Sequence, residues 1–158
     1  MLKSLAIIAL VIVLIAAVKY FSGNSESAKK ALEDGKKFLD SNQAKDGVQT
    51  TASGLQYEFI QQGSGGAMPS ASDKVEVHYH GTLVDGTVFD SSVNRGQTIT
   101  FGLNQVIRGW TEGLQLMSEG DKIRLFIPPE LGYGSRSAGK IPPNSVLIFD
   151  VELIKINP

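Results

Sequence analysis

The chain reads as an α+β protein: an antiparallel sheet of about five strands wrapped over one short helix. Several stretches alternate apolar and polar residues with the two-residue period of a half-buried strand. A single stretch in the second half instead carries Trp110, Leu114 and Met117 at the three- and four-residue spacing of a helix face. Gly-, Pro- and Ser-rich segments separate them, as turns require.

Taken in order, "GLQYEFIQQGSG" sets Leu55, Tyr57 and Phe59 against polar neighbours and predicts the first strand. "GSGGAMPSASD" is a loop, not a phosphate cradle, because no helix start follows it. "KVEVHYHGTL" puts Val75, Val77 and Tyr79 on one face and Glu76, His78 and His80 on the other. Asp85-Gly86 signals a turn before "TVFDSS", and "QTITF" is another short strand. The helix begins beside Trp110 and is expected to stop at Gly120. "KIRLFIP" alternates again. After a long Gly/Pro loop, "SVLIFDVELIKI" directs Leu147, Phe149, Val151 and Leu153 to one side.

Upstream, the pattern changes twice. Residues 1–23 include fifteen consecutive uncharged residues, "SLAIIALVIVLIAAV", with Lys3 and Lys19 placed to reach the interfaces of a membrane. An uncleaved signal anchor fits better than a cleaved signal peptide, since "AAVKYFSGN" offers no convincing spaced pair of small residues. Lys3 on the short N-terminus keeps that end cytoplasmic and exports the rest, although Lys29 and Lys30 oppose this. Residues 24–54 contain a mildly apolar helical face of Ala28, Ala31, Leu32, Gly35, Phe38 and Leu39. A stalk is the simplest expectation; docking on the domain and pairing with a second copy are the others. Residues 55–158 form the globular domain.

Fifteen basic against sixteen acidic residues leave no excess charge to track a phosphate backbone, which argues against nucleic acid. The absence of cysteine removes disulfides, thiolate nucleophiles and thiolate metal ligands. His78 and His80 share a strand face, but no third ligand accompanies them, so a metal site is not expected. Asp85 is more simply a turn residue than half of a carboxylate pair with Asp90.

The unusual feature is "QVIRGWTEGLQLMSEGD", where the only tryptophan stands beside a glycine at a helix start. A sheet wrapped over one helix leaves an apolar hollow there. Trp110 forms its base, Val106 and Ile107 its lip, and unpaired N–H groups point toward a bound acceptor.

Three segments, "VEVHYHGTLVDGTVFDSS", "NQVIRGWTEGLQLMSEGDKIRLFIPPELGYG" and "IPPNSVLIFDVEL", in this order and spacing, closely resemble the FKBP-type peptidyl-prolyl cis–trans isomerases. The lead-in "LEDGKKFLDSNQAKDGVQTTASGLQYEFIQQGSG" resembles the bacterial Mip-like or FkpA-like branch, whose members are envelope folding catalysts. The resemblance implies a half-barrel sheet around one helix and a pocket of Tyr79, Phe89, Asp90, Ile99, Phe101, Val106, Ile107, Trp110, Tyr133, Ile141 and Phe149. It implies no cofactor, and as partners proline-containing polypeptides and macrolide inhibitors. It further implies that the Ile107 N–H and Tyr133 O–H hold carbonyls flanking the proline, while Asp90 acts electrostatically. Two departures bear on the residue preferred before proline and on macrolide affinity. Ile99 stands where many members carry an aromatic wall. The loop between Tyr133 and Ile141 is short and places Lys140 where an apolar residue is common.

Singly, each of these aromatics is more simply a core residue; together, in this register, they make a pocket. The expected activity is rotation of X-Pro bonds, in a membrane-tethered protein facing the bacterial periplasm. An FKBP-like chaperone or binding module without useful turnover is the alternative, as is release into the periplasm after signal cleavage. Two copies pairing through residues 24–47 is a further expectation.

Overall fold

The computed structural model describes residues 25–158. The apolar segment expected to enter a membrane lies outside them. Among the described residues no helix is long and apolar enough to cross a membrane.

Helix α1 covers residues 25–42. Seven strands follow: β1 Gln49–Thr50, β2 Gln56–Gln61, β3 Lys74–Leu83, β4 Val88–Ser91, β5 Ile99–Gly102, β6 Lys122–Ile127 and β7 Leu147–Ile156. A one-turn helix α2, Ser92–Arg95, sits between β4 and β5, and α3, Arg108–Leu114, between β5 and β6. All strand pairs are antiparallel, in the order β1-β2-β6-β7-β3-β4, with β5 also on β3. The long β3 thus has a divided outer edge. Its residues 80–82 pair with β4, while residues 74–77 pair with β5.

The alternation forecast from the sequence sets the faces. Val75, Val77 and Tyr79 of β3 and Leu147, Phe149, Val151 and Leu153 of β7 are all buried on the concave side. Register carries this inward set across the sheet: Tyr79 opposes Val151, Gly81 opposes Phe149, and Leu125 opposes Phe149 from the other side. Slipping either strand by one residue would turn these side chains to solvent. Leu114, Met117 and Leu103 fill the hollow beneath, fully buried.

Helix α3 is shorter than its spacing suggests. It ends at Leu114, so Met117 packs from the following turn, and Gly120 does not stop the helix. Gly120, at φ +87°, instead makes the turn into β6, where its N–H donates to the Leu153 carbonyl at 2.8 Å. The glycines inside α3 explain its position. A Cβ on Gly109 would lie 2.6 Å from Ile127 Cγ2, and one on Gly113 would lie 2.7 Å from Leu125 Cδ2. These two positions are one turn apart, so the helix lies on β6 through a face without side chains. That close seat turns Trp110 toward the cleft.

The second half of α1 docks on the convex side of the sheet rather than standing away as a stalk. Phe38 meets Phe126 with ring centroids 5.8 Å apart. The buried Asn42 donates from Nδ2 to Gln56 Oε1 at 2.8 Å, and Gln56 Nε2 donates to the Leu39 carbonyl at 3.0 Å.

Candidate functional site

On the concave side, β4, β5, the start of α3 and the loop before β7 surround an open cavity of about 720 Å³. All eleven residues expected from the sequence line it. Trp110 forms the floor and is 5% exposed. Its ring is nearly perpendicular to Phe149 (centroids 5.2 Å apart, 87°) and to Tyr79 (5.3 Å, 82°), and tilts against Phe101 at 5.3 Å. Phe89 stands edge-on to Phe149 at 5.3 Å. Perpendicular pairs of this kind place the positive edge of one ring against the negative face of another, which holds the aromatic wall in one arrangement. The buried indole Nε1 has no oxygen or nitrogen partner among the described residues.

Gly81 makes that wall possible. A Cβ there would fall 2.7 Å from Phe89 Cζ and 2.8 Å from Phe149 Cε1. The glycine's empty face is the space in which the two rings meet.

Asp90 is held at one side by a hydroxyl and a guanidinium. Tyr79 Oη donates to Asp90 Oδ2 at 2.5 Å, Arg95 Nη1 donates to Asp90 Oδ1, and Arg95 Nη2 donates to Tyr79 Oη at 3.0 Å. Partial burial pushes the Asp90 carboxyl up, but the Tyr79 hydrogen bond and then Arg95 outweigh it, leaving the pKa below the ordinary value. Desolvation, followed by the bond to Asp90, pushes the Tyr79 phenol up. The site therefore presents an ionised, already satisfied carboxylate and a neutral phenol.

Helix α2 sets this geometry. Ser91 Oγ caps it by accepting from the Asn94 N–H at 3.1 Å, and Gly96 closes it at φ +68°. Ser92 Oγ accepts from the Tyr79 N–H at 2.8 Å, tying the helix to β3. One turn then returns Arg95 to Asp90. His78 and His80 pair through Nδ1 with Ser92 and Ser91, each at 2.9 Å, and belong to this stitching.

Two polar groups at the rim are uncommitted. Ile107 is the residue before α3, with an extended backbone (φ −57°, ψ 148°), and its N–H donates to no protein acceptor among the described residues. Tyr133 is 42% exposed, and its hydroxyl likewise has no protein partner there. The loop carrying it is anchored by Gly134 N–H to the Pro129 carbonyl and Asn144 N–H to the Gly134 carbonyl, both at 2.8 Å.

Gln105, Ala138, Gly139 and Lys140 also line the cavity, outside the expected set, and Arg95 braces it from behind. Their signal in the sequence is weak. Arg95 lies in "SSVNRG", whose capping serine and closing glycine mark a helix turn, but nothing local says the arginine returns to Asp90.

A concave sheet with an indole floor, perpendicular aromatic walls and free hydrogen-bonding groups at the lip makes a cleft shaped for a small apolar ring. Comparison with known proteins gives this cleft its family. Residues 65–154 match the family model described as FKBP-type peptidyl-prolyl cis-trans isomerase, and residues 13–59 match that of the domain amino terminal to it. The chain belongs to the FKBP-type peptidyl-prolyl cis–trans isomerase family. It is 55% identical over 135 residues to the FKBP-type peptidyl-prolyl cis-trans isomerase FkpA of Aeromonas hydrophila, covering 84% of this chain and 50% of that protein. It is also 55% identical over 124 residues to the FKBP-type 22 kDa peptidyl-prolyl cis-trans isomerase of Escherichia coli, covering 78% and 60%. The crystal structure of FkpA from Escherichia coli superposes with a TM-score of 0.87 at 42% identity, covering 96% of this chain and 72% of that one. The chain spans about half the length of the FkpA relative from Aeromonas.

Proposed function

We propose that the protein accelerates cis–trans rotation of X-Pro bonds in polypeptides by binding the twisted amide in the cleft over Trp110. The observation that carries this reading is the pairing of a ring-lined apolar hollow with two unspent donors, the Ile107 N–H and the Tyr133 O–H, at its lip.

The uncatalysed barrier is about 18–20 kcal/mol and arises from lost amide resonance. Twisting the C–N bond reduces the charge separation of the planar amide, so surroundings poorer than water in polar partners penalise the planar form more. Trp110, Phe89, Phe149, Tyr79, Phe101 and Val106 enclose the pyrrolidine and exclude water, with Ile99 and Ile141 extending the apolar wall. The Ile107 N–H and Tyr133 O–H hold the carbonyls on either side of the rotating bond. Asp90, ionised and fixed by Tyr79 and Arg95, supplies a constant field beside it. A thousand- to million-fold acceleration asks roughly 4–8 kcal/mol of these contacts together. No proton transfer or covalent intermediate is needed.

The test is a proline-limited peptide assay with the full chain. Faster cis-to-trans relaxation that saturates with peptide supports the reading. Unchanged relaxation with peptide bound would leave a chaperone-like binding module instead.

The proposed setting follows from the sequence. Residues 1–23 tether the protein to the inner membrane with the domain in the periplasm, or are cleaved and release it there. The N-terminal sequence of the mature protein separates the two. Macrolide inhibitors are proposed to occupy the same cleft, and a homodimer is proposed through the helical segment. Competition in the peptide assay and sedimentation of the full chain test these in turn.

A further inference from the structure

We propose that the cleft selects prolyl segments carrying an acidic side chain near the proline, and that Lys140 is the residue that recognises it. This rests on the isomerase reading above and adds a substrate preference to it.

The charges around the cleft are unevenly committed. Asp90 is neutralised by Arg95 and hydrogen-bonded by Tyr79. Lys140, the other charged residue lining the cavity, forms no ion pair or hydrogen bond through its side chain among the described residues. It is not on a loose tip. The Ala138 N–H donates to the Ile141 carbonyl at 3.0 Å and the Ile141 N–H donates to the Ala138 carbonyl at 2.9 Å, closing a two-residue turn. Gly139 supplies the positive φ of +54° that a tight turn of this kind takes at its first position. Lys140 follows it, so the backbone holds the ammonium's stem beside the site where the proline ring binds.

A second groove, of about 610 Å³, shares Val106 with the cleft and is lined by Arg108 and Glu112 among others. Ser53 Oγ donates to Glu112 Oε2 at 2.5 Å, whereas Arg108 is exposed and unpaired among the described residues. An extended polypeptide leaving the cleft over Val106 enters this groove. On that path Lys140 is the charged side chain that no opposite charge offsets; Arg108 lies one helical turn from Glu112, whose charge the neutral Ser53 hydroxyl does not cancel. Carboxylates flanking the proline gain from this field, and lysines or arginines at the same positions are repelled.

The experiment measures kcat/KM of the full chain on peptides carrying Glu, Gln or Lys in turn at each position flanking the proline, at low and high salt. Lys140 is exposed, so its effect is modest: Glu is expected to exceed Lys by about two- to five-fold at the position read, shrinking at high salt. Lys140→Glu should invert the preference at the position read, and Lys140→Gln should abolish it. Equal rates for Glu and Lys peptides at low salt would overturn the proposal, as would an unchanged Glu preference in Lys140→Glu. A variant that fails to fold leaves the salt dependence of the unmodified chain to decide. If the neutral Gln peptide is not turned over at all, the isomerase reading fails. Peptide binding followed by Trp110 fluorescence then still tests the charge preference.

Discussion

Tyr79 and Asp90 meet across the β3–β4 pair through a 2.5 Å hydrogen bond, and Arg95 contacts both from the next helix turn. Neither strand partner opposes the other in register, since Asp90 pairs with Gly81. The bond is a diagonal one, and Gly81, the register partner of Asp90, leaves room for the Phe89 and Phe149 rings beside it. Site electrostatics and wall packing thus depend on the same short stretch of sheet.

Tyr79→Phe and Arg95→Gln should each raise the native pKa of Asp90, since the Tyr79 hydrogen bond and the Arg95 hydrogen bond and charge hold it down. A carboxyl whose native pKa is depressed stabilises the fold above its unfolded value of about 3.9 and loses that contribution as the pH falls through the native value. Unmodified protein should therefore lose stability in that acid window, and Tyr79→Phe should show a shallower dependence there. The Asp90 side chain is 44% exposed, so the effect is small. Carboxyl-carbon NMR titration measures it; an unmoved Asp90 titration in both variants would contradict the assignment.

Gly81→Ala should disable the cleft while the sheet survives. The new methyl requires Phe89 or Phe149 to move, at a cost of about 1–3 kcal/mol. Because those rings form the wall, turnover should fall by at least about tenfold, more than the stability loss alone would produce. Thermal unfolding and peptide kinetics on the same sample separate the two effects.

Gly109→Ala sets two effects against each other. Alanine favours the helix by about 1 kcal/mol, but its methyl would overlap Ile127, and overpacking of that kind costs about 1–3 kcal/mol. The net result should be destabilising. Combined with Ile127→Ala, which removes all three Ile127 atoms nearest the new methyl, Gly109→Ala should cost less than the sum of the two single changes, so that a double-mutant cycle gives a favourable coupling. Additive effects would show that α3 is not seated through this glycine.

Tyr133→Phe and Asp90→Ala should each lower the catalysed rate, with Tyr133→Phe leaving the melting temperature nearly unchanged because its exposed hydroxyl bonds no protein group among the described residues. Loss of one neutral hydrogen bond to the substrate corresponds to about 0.5–1.5 kcal/mol, or roughly two- to twelvefold in rate. Normal turnover in both variants would refute the roles given to these residues.

The strands were legible because β3 and β7 each bury one face against a core and expose the other more freely, which stamps a period of two on the residues. α2 was not legible: one turn of helix is too short to show a period, and it exists because Ser91 caps it and Ser92 ties it to β3. The length of α3 was overestimated since Met117 continues the apolar spacing from a turn, and burial alone does not distinguish the two. Docking of α1 was open in the sequence beside the stalk, and only its contacts to Phe126 and Gln56 on the convex face decide for it.

The resemblance of three motifs to a known family supplied the eleven residues around the cleft; by itself, the sequence determined the α+β class and the inward faces of the strands. Such information is local or is carried by spacing. Only the tertiary structure decided that Arg95 closes on Asp90, that Gly81 and Gly109 are the spaces into which rings and helix fit, and that Lys140 stands uncompensated beside the cleft. Those facts depend on distances between residues far apart in the chain, which no periodicity encodes.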